Sequence, residues 1–159
     1  GGPAAEEQER LEVRVRDIEE KVSSLDAETR AAWENKNNPL EPVIPAAGSG
    51  AVAAALGKLG SPYGWGAAGP GQFDCSGLML WAYQQQGKTI PRTSQAQLAG
   101  GTPVSRAELQ PGDIVGYFPG VTHVGMYIGN GQLVHASDYG IPVQVVSVDS
   151  MPWAGAVRY

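Results

Sequence analysis

One cysteine, two histidines and two phenylalanines among 159 residues leave this chain without several common devices. A single thiol excludes an intramolecular disulfide and leaves Cys75 free for chemistry. There is no Cys-x-x-Cys or His-Glu-x-x-His pair, so zinc held by Cys75, His123 and His135 is the weaker reading of those three residues. No apolar run approaches the ~20 residues needed to cross a bilayer, so no membrane insertion is expected. Lys and Arg nowhere cluster, which excludes an electrostatic footprint for nucleic acid and a basic face for anionic lipid. The opening Gly1-Gly2-Pro3 has neither an initiator Met nor a signal-like basic and apolar stretch, so the cellular address has to be inferred indirectly.

The net charge of -5 is unevenly spread: residues 1–45 carry 11 acids and 6 bases, whereas residues 46–159 carry 5 of each. The acidic front contains Leu11, Val15, Ile18, Val22, Leu25 and Ala32 at heptad spacing, with charges such as Arg14, Glu19 and Lys21 beside the seam. That pattern predicts an amphipathic, coiled-coil-like helix over residues 1–36. A helix this short is marginal alone, so residues 5–36 should pack on the body, on a partner helix or on a second copy. Pro39, Pro42 and Pro45 then mark residues 37–50 as a semi-rigid linker. Residues 51–159 form the remaining domain.

Within that domain, helices are expected over 49–59, 74–86 and 94–99, followed by strands over 113–118, 123–128, 132–137, 143–148 and 154–159. Helices first and strands afterwards predict an α+β fold, with helices packed on an antiparallel sheet of about five strands. A Pro-Gly-Asp turn at Asp113 is explained by turn geometry alone.

Cys75 lies where a glycine-rich loop meets the predicted helix 74–86. A lone cysteine is more often a small buried hydrophobe than a nucleophile. Its polar neighbours Asp74 and Ser76 favour the second role here, and unpaired N–H groups at a helix start should lower the thiol pKa and could hold an oxyanion. A nucleophilic thiol needs a base, and the base needs a third group to orient it. His123 and His135 can fill those places. Side chains alternate along a strand, so two residues 12 apart share a face only if the intervening hairpin loop is odd in length or a bulge intervenes. A three-residue Gly129-Asn130-Gly131 loop would do this, setting His135 opposite Gly125, whose missing side chain leaves room for two imidazoles.

Five motifs now stand in order: Ser61-Pro62-Tyr63-Gly64-Trp65-Gly66, Asp74-Cys75-Ser76-Gly77, Pro91-Arg92-Thr93-Ser94, Pro111-Gly112-Asp113 and His123-Val124-Gly125-Met126-Tyr127-Ile128-Gly129. With them, residues 50–159 resemble the NlpC family of bacterial cell-wall cysteine endopeptidases. The helical front is similar in style to secreted, mycobacterial-like members. The resemblance implies a papain-like core, a secreted or cell-envelope address, and a peptidoglycan stem peptide as substrate. The bond cut would lie between D-glutamyl or D-isoglutaminyl and meso-diaminopimelate. It implies Cys75 as nucleophile, His123 as base and His135 as the third polar residue. Tyr63, Asp74, Ser76, Arg92 and Ser94 would line the groove, with no metal or organic cofactor. A non-catalytic wall-binding module, or an amidase of different specificity, is the alternative, and a front segment folded over the groove as a lid is a further expectation.

Overall fold

A computed structural model describes residues 36–43 and 50–159. The expected heptad helix over residues 1–36 lies outside the described residues, apart from Lys36 itself. Three helices come first: α1 (Gly50–Leu56), α2 (Cys75–Gln84) and α3 (Ser94–Gly100). The strands β1 (Thr102–Pro103), β2 (Ile114–Tyr117), β3 (His123–Gly129), β4 (Gln132–His135), β5 (Gln144–Ser147) and β6 (Trp153–Arg158) follow, with one 3-10 turn at Arg106–Glu108. They form one antiparallel sheet in the order β1-β6-β2-β3-β4-β5. The α+β reading therefore holds. The sixth strand, β1, is two residues long and too short to display any alternation in sequence.

Alternation along the strands sorts the core. Ile114, Val124, Met126, Val134, Val145 and Val157 face the helices and pack with Val52, Leu78, Met79 and Ala82. Val115, Tyr117, Leu133, Val146 and Ala156 form a second cluster with Val148 and Met151. Each fully buried aliphatic side chain contributes about 1.5–3 kcal/mol relative to an exposed one, so the two clusters hold the sheet from both sides. Tyr117 is buried with its hydroxyl donating to the Val148 carbonyl at 2.7 Å, so its polar end is satisfied. Asp113, 1% exposed, accepts from the Gln110 N–H at 2.8 Å and pairs with Arg158 at 2.8 Å, which closes the turn into β2 and ties it to β6.

The β3–β4 hairpin carries both histidines. Its pairing runs Met126↔Val134 and Tyr127↔Leu133, then shifts to Gly129↔Gln132. The connection is thus a two-residue Asn130-Gly131 turn, both residues at positive φ (55° and 73°), preceded by a bulge at Ile128. The expected three-residue loop is corrected: the bulge supplies the extra residue that returns His135 to the face of His123. Extending the register by one pair sets His135 opposite Gly125. The space above Gly125 is not held by the imidazoles, because a Cβ there would stand 2.6 Å from Leu133 Cδ2. Glycine at that position makes room for Leu133, the neighbour of the histidine pair on the same face.

Residues 36–43 run beside β4 and β5. The Leu40 N–H donates to the Val145 carbonyl at 2.7 Å. Gln132 donates to the Glu41 carbonyl at 2.8 Å and accepts from the Val43 N–H at 2.6 Å.

Candidate active site

The tip of α2 is built around Asp74. As N-cap it accepts from the Gly77 N–H at 2.7 Å, satisfying one of the orphan donors of the first turn. Its other oxygen accepts from the Gly66 N–H at 2.9 Å, and its own N–H donates to the Ala67 carbonyl at 2.9 Å, so the loop before the helix is stitched to the cap. Arg92 spans both carboxylate oxygens at 3.1 and 2.8 Å and also donates to Ser76 Oγ at 2.7 Å. Asp74, Ser76 and Arg92, three of the five expected groove residues, therefore form one network flanking Cys75. Its two-pronged Arg–carboxylate contact fixes geometry better than a point charge could.

Gly77 explains the last letter of Asp74-Cys75-Ser76-Gly77. A Cβ on it would lie 2.0 Å from the Ala67 carbonyl oxygen, so only glycine lets that backbone come so close to the first helical turn.

Cys75, the first residue of α2, is half-buried. The backbone N–H groups of Val124 and Ser76 bond its sulfur and favour the thiolate, so the thiol sits against β3 one residue beyond His123. Those bonds and Arg92 do not prevail. Burial pushes the Cys75 thiol from 9.0 up to about 11, and the neighbouring Asp74 charge adds to the rise. The expected lowering by the helix terminus is thus corrected, because desolvation of a sulfur anion outweighs the partial charge of a helix end.

His123 and His135 meet directly, Nε2 of the first lying 2.7 Å from Nδ1 of the second, with the rings edge-on at 76°. Both are buried, at 5% and 0% exposure. Burial lowers the His123 pKa well below 6.5, helped by the His135 ring and the Lys36 charge; burial and Lys36 lower that of His135 to about 3. At rest the thiol and both imidazoles are accordingly neutral.

These shifts fix how stability depends on pH. Below pH 6.5 the unfolded chain takes up protons at histidines that stay neutral when folded, so stability falls as pH drops from 6.5 toward 3. Above pH 9 the unfolded chain loses the Cys75 proton that the fold retains, so stability falls again from 9 toward 11. Thermal unfolding across a pH series should show a plateau between these limits, and Cys75→Ala should remove the fall that begins at pH 9, leaving the acid limb and the loss above pH 10 that the buried tyrosines with raised pKa bring.

Tyr63 lies close enough to Cys75 and Asp74 for their charges to act on it. Burial first, then those two groups, raise its phenol above the usual range and keep it a hydrogen-bond donor. Its ring meets Tyr139 edge-on at 4.9 Å, and the Tyr139 hydroxyl accepts from the Trp65 N–H at 3.2 Å. Ser94 is buried, with its hydroxyl donating to the Val121 carbonyl at 2.6 Å, so it holds the turn that leads into His123. Three neighbours escaped the sequence reading: Tyr139, Lys36 and Asn37. Nothing local marks them, since each meets its partners 74 or more residues away in the chain. Among the described residues, no three His, Cys, Asp or Glu side chains are grouped to hold a metal ion.

The chain belongs to the NlpC/P60 family, whose model matches residues 60–158. A probable endopeptidase of Corynebacterium glutamicum is 55% identical over 123 residues, covering 76% of this chain and 59% of the relative. NlpC2 from Trichomonas vaginalis shares the fold with a TM-score of 0.67 at 38% identity, over 74% of this chain and 48% of that one. The peptidoglycan hydrolase RipB from Mycobacterium tuberculosis matches with a TM-score of 0.62 at 30% identity, over 86% and 69%. The chain thus spans somewhat over half the length of its Corynebacterium relative.

Proposed function

We propose that this chain is a cysteine endopeptidase of the cell envelope that cuts peptidoglycan stem peptides between D-glutamyl or D-isoglutaminyl and meso-diaminopimelate. The observation that carries the reading is the 2.7 Å contact between His123 and His135 at the start of β3, one residue before the Val124 N–H that bonds the Cys75 sulfur. The names of its relatives, a probable endopeptidase and a peptidoglycan hydrolase, support the substrate class.

With His123 Nε2 engaged by His135, the ring nitrogen left for the thiol is Nδ1. Because thiol and imidazole are both neutral at rest, His123 removes the Cys75 proton as sulfur attacks the D-glutamyl carbonyl, rather than before the substrate arrives. The oxyanion is held by the Cys75 N–H at the helix tip and by the Tyr63 hydroxyl, which stays protonated in this setting. The imidazolium then protonates the leaving amine. In the second half, His123 takes a proton from water, and the hydroxide formed hydrolyses the thioester, freeing the acid and Cys75. His135 orients the ring throughout. Arg92, oriented by the buried Asp74 and Ser76, is the charged group that can meet the peptide on one side of the sulfur, while Ser94 acts by anchoring Val121.

Digestion of purified muropeptides followed by mass spectrometry tests this. Fragments ending in D-glutamate or D-isoglutamine with a new diaminopimelate amine are expected; release of intact stem peptide from the sugar would identify an amidase instead, and no release a binding module. His123→Ala should lower kcat by about 10^4-fold, and His135→Ala by about 10- to 100-fold, since the second orients and the first transfers protons. The reverse order would exchange their roles.

A further inference from the structure

The imidazole pair leaves a question of proton placement that its own contact does not answer. In one arrangement His123 Nε2–H donates to His135 Nδ1 and leaves His123 Nδ1 as a lone pair. In the other, His135 Nδ1–H donates, His123 carries its proton on Nδ1, and the base is lost. What lies behind His135 decides between them.

His135 is 0% exposed, and its Nε2 has no partner at full hydrogen-bond geometry among the described residues. The group that approaches the ring is the backbone of Lys36, in the sense that favours a proton on the ring, and so through its carbonyl. A carbonyl repels a lone pair and attracts an N–H. It therefore selects the Nε2–H form of His135, whose Nδ1 is then an acceptor. The position of Lys36 is fixed on either side of the histidine. Asn37 accepts from Ser137 Oγ at 2.5 Å through its side chain and from Gln144 Nε2 at 3.0 Å through its carbonyl. Ser137 is two residues beyond His135, and Gln144 is its cross-strand partner. Gln132, on the same strand, grips Glu41 and Val43 further along. Lys36 itself is 4% exposed, so the segment is seated against the body.

We propose that residues 36–43 are a positioning element of the catalytic centre: latched by Asn37 and Gln132, they hold the Lys36 carbonyl behind His135 and thereby keep His123 Nδ1 free to act as base. This rests on the proposed catalytic roles of Cys75, His123 and His135. It gives the proline-rich segment a role opposite to that of a lid, since detaching it should slow the enzyme.

The chain has only two histidines, so ring nitrogens can be read one by one by NMR on the full chain carrying 15N-histidine. Both rings should be neutral Nε2–H tautomers. Gln132→Ala with Gln144→Ala, which unlatches the segment without touching the proposed triad, should turn His135 into a tautomer mixture and lower kcat about 10- to 100-fold at unchanged KM. Asn37→Ala, on the segment's own side, should move both readouts the same way and serves if the double variant does not fold. An Nδ1–H tautomer at His135 in the unaltered chain, unchanged tautomer and kcat after unlatching, or faster turnover would each overturn the proposal. Activity surviving in Cys75→Ala would instead remove the catalytic reading, while the tautomer measurement would still judge the placement of Lys36.

Discussion

Cys75→Ala is expected to reduce muropeptide hydrolysis by at least about 10^4-fold, in line with the loss of a nucleophile from a serine-protease triad. No other thiol exists to replace it. The same variant should fold as well as the unaltered chain or slightly better near neutral pH, because the sulfur is a half-buried group whose contacts are backbone N–H groups and whose anion the site disfavours. Circular dichroism with a melting curve, beside the digestion assay, separates the two effects. Hydrolysis persisting at the original rate would remove Cys75 from the mechanism. Because the thiol is held neutral by burial, modification of Cys75 by iodoacetamide should be slow at neutral pH, when thiolate is scarce, and should accelerate toward pH 11.

Among the described glycines, Gly77 is where an added methyl group should disrupt most, in the variant Gly77→Ala. At 2.0 Å from the Ala67 oxygen, the new Cβ meets backbone, which cannot swing aside as a side chain could, and it also comes within 2.9 Å of Asp74 Oδ1. Either the 63–73 loop or the first turn of α2 must move. Overpacking of this kind costs about 3 kcal/mol, equivalent to a Tm lower by about 10 °C for a domain of this size. Since the displaced atoms carry the Asp74 cap and Cys75, activity should fall well below the folded fraction. A variant with unchanged Tm and turnover would show that the loop yields without strain.

Much of this fold was legible because its signals are local. Apolar residues on α2 and alternation along β2 to β6 each report on neighbours within a few positions. The even spacing of His123 and His135 allowed a shared face given an odd loop or a bulge, but which device achieves it was not legible. A bulge at Ile128 and a longer loop leave the same trace in the numbering, and only the Gly129↔Gln132 pairing separates them. The acidity of Cys75 went the other way from expectation because a helix end is a local feature, whereas desolvation is set by the sheet against which the helix packs. Lys36 and Asn37 could not be found at all from sequence: their partners His135, Ser137 and Gln144 lie about a hundred residues downstream, and no periodicity links them.

The Ile128 bulge also sets a rule for drift in this hairpin. Residues at the turn can be exchanged freely as long as they tolerate a left-handed backbone, and the loss of one of them can be absorbed by regularising the bulge, which keeps Met126 opposite Val134 and both imidazoles on their face. The hairpin therefore carries one spare residue, a reserve of length that a plain two-residue turn would lack.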